Sequence, residues 1–227
     1  MSPNQDAATS GPPRGRFTIV FLIHEAFRRD IARLSSALRS SPLESTKARQ
    51  LGTHWDFVRQ QLHHHHRVED ESLWPLVRPK LGGQHDELAV LDAMEDQHRT
   101  LEPTCVAIDE GFVQLTPSPD ASAGAALAQQ LDALGVSLAA HLDAEETQCF
   151  PVIDKALSAE EFESFGKATA KAVGMRDSAR FFPWIFDGAD PVERQAVLSM
   201  PPPPVRILCR YVWEPRYERQ VTPIWAG

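Results

Sequence analysis

Four stretches of this sequence repeat apolar residues at spacings of three and four, and no stretch alternates with period two over any useful length. Such a chain has to bury helix faces, because side chains three and four apart share one side of a 3.6-residue turn. The first stripe reads Val20, His24, Phe27, Ile31, Leu34 and Leu38, and Ser41-Pro42 stops it. The second reads Val58, Leu62, His65, Glu69 and Leu73, with Trp74-Pro75 marking its end. Beyond the Gly82-Gly83 break, the third runs through Leu88, Leu91, Met94, His98, Leu101, Cys105, Ile108 and Phe112. A Pro- and Gly-bearing loop over 116–124 leads to the fourth: Leu127, Leu131, Leu134, Leu138, His141, Glu145 and Cys149, halted near Pro151. Four long amphipathic helices with short connections predict an all-α fold, an antiparallel up-down four-helix bundle, over residues 16–155.

Residues 1–15 are Pro, Gly and polar types and read as a disordered lead-in. Residues 156–227 read as a C-terminal extension packed on the bundle, with a fifth helix and an irregular, aromatic-rich tail. In that extension Ser158 with Glu161 has capping-box spacing, and Asp190-Pro191 resembles a second helix start. Val205-Arg206-Ile207-Leu208 looks strand-like. Three of the five tryptophans, Trp184, Trp213 and Trp225, follow residue 180. A solvated tail would lack them, so the tail either packs on the bundle or binds a protein partner.

Composition narrows the function classes. Lys+Arg of 23 against Asp+Glu of 31 leaves a net charge of −8, which argues against nucleic acid and against an anionic membrane surface as partners. Nothing approaches a membrane span, and Met1 to Arg16 lacks the apolar core of a secretory signal. Cys105, Cys149 and Cys209 are odd in number and far apart, which suits reduced thiols and a cytoplasmic location. The two on apolar stripes, Cys105 and Cys149, read as small core residues.

The informative residues interrupt the apolar stripes. Each carries one histidine (His24, His65, His98 and His141), and two of these are followed at i+4 by a glutamate, Glu69 and Glu145. Residues i and i+4 stack on one helix face, so imidazole and carboxylate reach the same place. Buried without compensation these six groups are costly, and a metal inside the bundle satisfies them together. The two segments also share a register: His lies ten residues and Glu six residues before Pro75 in one and before Pro151 in the other. That register selects His65 from the run His63 to His66, with the His66–Asp70 pair as the fallback. The donor count exceeds what one zinc takes, and nitrogen and oxygen without thiolate suit iron, with manganese as a second candidate.

His24, His65-x3-Glu69, His98 and His141-x3-Glu145, in that order on four helices, resemble the hemerythrin-like, HHE cation-binding family over residues 17–155. The resemblance implies two iron ions in a non-heme, oxo- or hydroxo-bridged di-iron centre, with Glu69 and Glu145 bridging and the four histidines as terminal ligands. It also implies O2, peroxide or nitric oxide as the small ligand, bound for sensing, storage or detoxification. The chain departs from oxygen-carrying hemerythrins on the third helix, where a second histidine is missing and Met94 and Glu102 flank His98 by one turn. Glu102 is thereby a candidate further ligand, whereas His54 and His85 lie near helix ends and read as non-ligands. Phe27, Leu101, Leu138 and Leu142 are expected to wall the site against water. Two other functions fit the same residues: a di-iron oxidoreductase acting on peroxide or O2, and an iron-responsive module whose tail docks a protein.

Overall fold

The computed structural model describes residues 14–40, 43–172 and 175–225, and every regular element among them is helical. Most of the expected lead-in, and the Ser41-Pro42 stop, lie outside the described residues. Arg14, at the edge of that lead-in, pairs with Glu25 at 2.8 Å and with Glu193 at 3.2 Å. None of the described helices is long and apolar enough to cross a membrane.

The first and second stripes become α1 (Thr18–Leu38) and α2 (Ser45–Val68), and α2 continues through Glu69–Leu73 into α3 (Trp74–Leu81). Gly82 then turns the chain at φ +57°, a left-handed value that suits glycine. The third stripe is α4 (His85–Leu115). The fourth is α5 (Ala121–Ala144), which runs through Glu145–Cys149 into α6 (Phe150–Ala156). The expected loop is shorter than 116–124, because Asp120 caps α5 by accepting from the backbone N–H of Ser122 at 2.8 Å and of Ala123 at 2.9 Å. Helix α1 packs on α5, α5 on α4, α4 on α2, and α2 on α1. The α1–α5 approach needs Gly124, where a Cβ would stand 2.8 Å from the Leu38 carbonyl oxygen.

Both His-x3-Glu segments end in a π turn. Glu69–Leu73 closes with the Trp74 N–H on the Glu69 carbonyl, and Glu145–Cys149 with the Phe150 N–H on the Glu145 carbonyl. Pro75 and Pro151 each follow the first residue of their π turn by six positions. Proline has no N–H and its ring clashes with the carbonyl four residues back, so the helix widens there by one residue instead of stopping. Cys209–Trp213 repeats the arrangement before Pro215. Pro103, inside α4 without a π turn, shows that proline alone does not force one.

The extension is more regular than its sequence suggests. Helix α7 (Ala159–Ala172) starts on the predicted capping box: the Ser158 N–H donates to Glu161 at 3.0 Å, and the Glu161 N–H donates to the Ser158 hydroxyl at 3.2 Å. After α8 (Met175–Phe186), α9 (Pro191–Leu198) starts at Asp190 as expected. The strand-like Val205–Leu208 is instead part of α10 (Pro203–Leu208), followed by the third π turn and α11 (Glu214–Trp225). A four-residue apolar run does not distinguish strand from helix, and Pro203 at the first helical position presets the helical φ. The tail is therefore helical where an irregular one was expected.

Buried apolar side chains form two clusters. One contains Phe27, Leu62, Leu101 and Leu142 and takes in Trp184, Trp213 and Tyr217 of the extension. The other contains Phe17, Leu73, Trp74, Met94, Cys149 and Phe150. Each long helix crosses from one cluster to the other close to its histidine, and successive helices cross in opposite order. A polar layer thus sits between two apolar ones.

Candidate metal centre

That layer gathers all six predicted ligands. His24, Glu69, His98, His141 and Glu145 are buried, and His65 is about one-tenth exposed. Their nearest ring nitrogens and carboxylate oxygens fall into two groups. In the first, His24 Nε2 lies 3.2 Å from His65 Nε2 and 3.3 Å from Glu145 Oε2, which is 3.7 Å from His65 Nε2. The second contains His98 and His141 together with His66. Glu69 spans the groups, with Oε1 3.3 Å from His65 Nε2 and Oε2 3.4 Å from His98 Nε2.

His66, the fallback in the sequence reading, joins the site beside His65 rather than replacing it. Its ring stacks on His98 with centroids 4.0 Å apart and meets the His141 ring edge-on at 5.3 Å. An α-helix turns by about 100° per residue, so neighbouring side chains point at different partners. At the centre of a bundle, His65 can therefore face α1 while His66 faces α4 and α5. The matched register before the two prolines concerns one helix face only, so it carries no signal for His66. Glu102 stays outside the site, half-exposed and paired with Arg59. His85 is exposed, and His54 is buried elsewhere.

Three histidines are oriented from behind. The Nδ1–H of His24 donates to Glu146 at 2.8 Å, that of His98 to Asp70 at 2.9 Å, and that of His141 to Gln97 at 3.0 Å. Each bond commits Nδ1 as the donor, so the Nε2 atom of all three faces the site. Asp70 stands out in the sequence only as the i+4 partner of His66, and it holds His98 instead; Glu146 and Gln97 have no signature, because exposed helix faces are rich in such residues anyway. Arg28 steadies Glu146 at 2.9 Å.

Electrostatics in the protein alone follow from burial and crowding. Burial opposes the charged His24 imidazolium, but Glu145 and Glu146 outweigh it and push its pKa up to about 9. Burial holds the His141 pKa down to about 3 and the His66 value well below normal, so both rings are neutral and have free lone pairs. Desolvation and the neighbouring Glu145 push the Glu69 carboxyl well above its usual range. Glu145 moves the other way, because His24 and His65 outweigh its burial. Cys149 is buried, and burial together with Glu145 and Glu69 keeps its thiol protonated.

A buried polar atom ordinarily has a hydrogen-bond partner. Here the Nε2 atoms of His66, His98 and His141 and one oxygen each of Glu69 and Glu145 have none. Orphaned lone pairs converging in two linked groups are what a pair of cations would satisfy, so the residues fit a two-metal centre. The fold and site define a helical, cation-binding protein. Residues 17–153 match the family model for the Hemerythrin HHE cation binding domain, and the chain belongs to that family. No match to a curated protein or to a solved structure was found.

Proposed function

We propose that the chain is a cytoplasmic non-heme di-iron protein that binds O2, with peroxide or nitric oxide as related ligands, for sensing, storage or detoxification. The observation that carries this reading is the paired group of inward-facing donors: His24, His65 and Glu145 on one side, His66, His98 and His141 on the other, and Glu69 between them. Five imidazoles and two carboxylates without thiolate favour iron, with manganese second. His66 supplies the histidine that the third helix lacks. Two iron ions would supply the electrons and the Lewis acidity that O2 binding requires.

The chain's own residues set the rest. Glu146, Asp70 and Gln97 orient three imidazoles, and buried Phe27, Leu101, Leu138 and Leu142 exclude bulk water. The opposite order in which successive helices cross the two apolar clusters supports an antiparallel up-down bundle over residues 16–155. Residues 156–227 form an extension whose tryptophans are spent largely on that bundle, which favours packing over partner docking.

The test is to load the protein with iron, count the metal, reduce it anaerobically and cycle it with O2. Two irons per chain and a visible band that comes and goes with O2 are expected. Irreversible oxidation would replace reversible binding with the oxidoreductase reading. Failure to hold two irons would overturn both.

A further inference from the structure

The bundle buries a second histidine–carboxylate cluster, which the metal centre does not use. Asp30 on α1 is fully buried. Its Oδ2 accepts from His54 Nε2 at 2.7 Å and from the Trp184 indole N–H at 2.8 Å, and its Oδ1 accepts from Arg29 at 2.7 Å. The cluster has an aromatic contact on each side. Toward the metal centre, Trp184 meets Phe27 edge-on with centroids 5.3 Å apart, and Phe27 lies 5.8 Å from the His65 ring. Toward the surface, His54 meets half-buried Trp225 edge-on at 4.8 Å, and the Arg33 guanidinium covers Trp225 at 5.7 Å. Ring contacts, with the Asp30 carboxylate hydrogen-bonded between Trp184 and His54, thus lead from His65 toward the surface.

We propose that Trp184 and Trp225, joined by Asp30 and His54, form a one-electron relay that discharges oxidising equivalents, left at the metal centre by hydrogen peroxide, to an ascorbate-type reductant at the surface. This rests on the di-iron reading above. With an oxidised metal pair bound, one electron would pass from Trp184 to the centre, and the Asp30 carboxylate, 2.8 Å from the indole N–H, would hold the radical cation left on the ring. Trp225 then gives one electron to Trp184, and the external reductant restores Trp225. Two passages supply the two electrons that, with two protons, turn one peroxide into two waters.

The chemistry of the two ends sets the direction. Trp184 has an ionised carboxylate at 2.8 Å, so the positive charge left when it loses an electron is stabilised there. Trp225 Nε1 has no hydrogen-bond partner, and Arg33 over the ring disfavours a lasting positive charge there. The hole therefore rests on Trp184 until a reductant draws it outward. An anchor holding the tail would require only the Trp184–Asp30 bond. It would not require an aromatic contact with a metal ligand's neighbour at one end and a half-buried tryptophan at the other.

Two experiments on the full chain test the relay. Iron-loaded protein is mixed with hydrogen peroxide, freeze-quenched and examined by electron paramagnetic resonance, with iron content measured on the same samples. A tryptophanyl radical cation is expected. It should vanish in Trp184→Phe, which keeps a ring on Phe27, and, with ascorbate added after the peroxide, live several-fold longer in Trp225→Phe, where the exit is removed. A radical unchanged in Trp184→Phe, or none from protein holding two irons, would overturn the link to the centre. Metal-free protein is also photo-oxidised with a ruthenium polypyridyl flash, so this arm stands whether or not iron binds. The radical should move from Trp225 to Trp184 in the wild type and stay on Trp225 in Trp184→Phe. Absence of that transfer would overturn the relay and leave the di-iron reading untouched.

Discussion

The protein buries two clusters of histidine and carboxylate in one bundle, and they end in opposite states. Around Asp30 both carboxylate oxygens are used, by His54, Trp184 and Arg29, so the charge is paired within the chain. Around Glu69 and Glu145, three ring nitrogens and two carboxylate oxygens lack partners. Burial and residue type are alike in the two places. What separates a structural ion cluster from a metal site is whether the carboxylate oxygens are spent inside the protein; around Asp30 they are, and the atoms left over are His54 Nδ1 and one Arg29 nitrogen. The carboxyl groups respond accordingly: Asp30 is held down to about 2, because His54 and Arg29 outweigh the cost of its burial, whereas burial and Glu145 push Glu69 up.

The largest expected effect breaks the metal side. Replacing His65 and Glu69 together by Ala removes one donor from the first group and the carboxylate that spans both, and metal analysis should fall from two irons to none. With free iron about a thousandfold above Kd, the wild type should gain about 4 kcal/mol of stability on loading, and the double variant nothing. Retention of two irons would refute the ligand assignment. Metal-free stability should not drop, because a buried, crowded carboxyl has been removed.

Asp30→Ala should do the reverse. It leaves Arg29 and His54 facing a void in the core, and breaking a buried ion cluster from one side costs about 3 to 5 kcal/mol. Urea unfolding should show that loss while the iron count stays at two. If iron is lost as well, the two clusters are a single unit and the contrast between them fails.

The sequence made the metal side legible and left the Asp30 side dark. Four stripes, each broken by a histidine, and two glutamates in matched register before proline marked the polar layer without any structure. Those signals are local, because i and i+4 on one helix share a face. His66 was harder, since its role depends on which helices flank α2 in space. His54 lies inside α2 rather than near a helix end, and its partner Asp30 lies on another helix with no fixed spacing to it. Long-range pairs of this kind have no period. The tail was half legible: its two capped helix starts were plain, but Val205–Leu208 offered too few residues to separate strand from helix.

Acid should separate the clusters in a third way. A carboxyl whose folded pKa lies below its unfolded value stabilises the protein above the unfolded value, and that contribution fades as pH falls through the folded one. For Asp30 the window runs from the ordinary 3.8 down to about 2. The shift is worth about 2 to 3 kcal/mol, as an order of magnitude. Stability measured across that window should fall in the wild type, with a flatter slope in Asp30→Asn. Equal slopes would mean that the pair does not hold the carboxylate ionised.

The smallest change asks how finely the metal side is tuned. Among the three residues that hold a ligand from behind, Gln97 alone is neutral, while Glu146 and Asp70 are carboxylates. Gln97→Ala removes the acceptor for the His141 Nδ1–H, so the ring can rotate and present either nitrogen to the site. Loss of such an outer partner typically weakens metal affinity by about 10- to 100-fold. Because His141 belongs to the group with His66 and His98, titration should show one weakened iron and one unaffected. Equal weakening of both would mean that Glu69 couples the two halves too tightly for a local loss to stay local. With no weakening at all, packing alone would be what fixes the His141 ring.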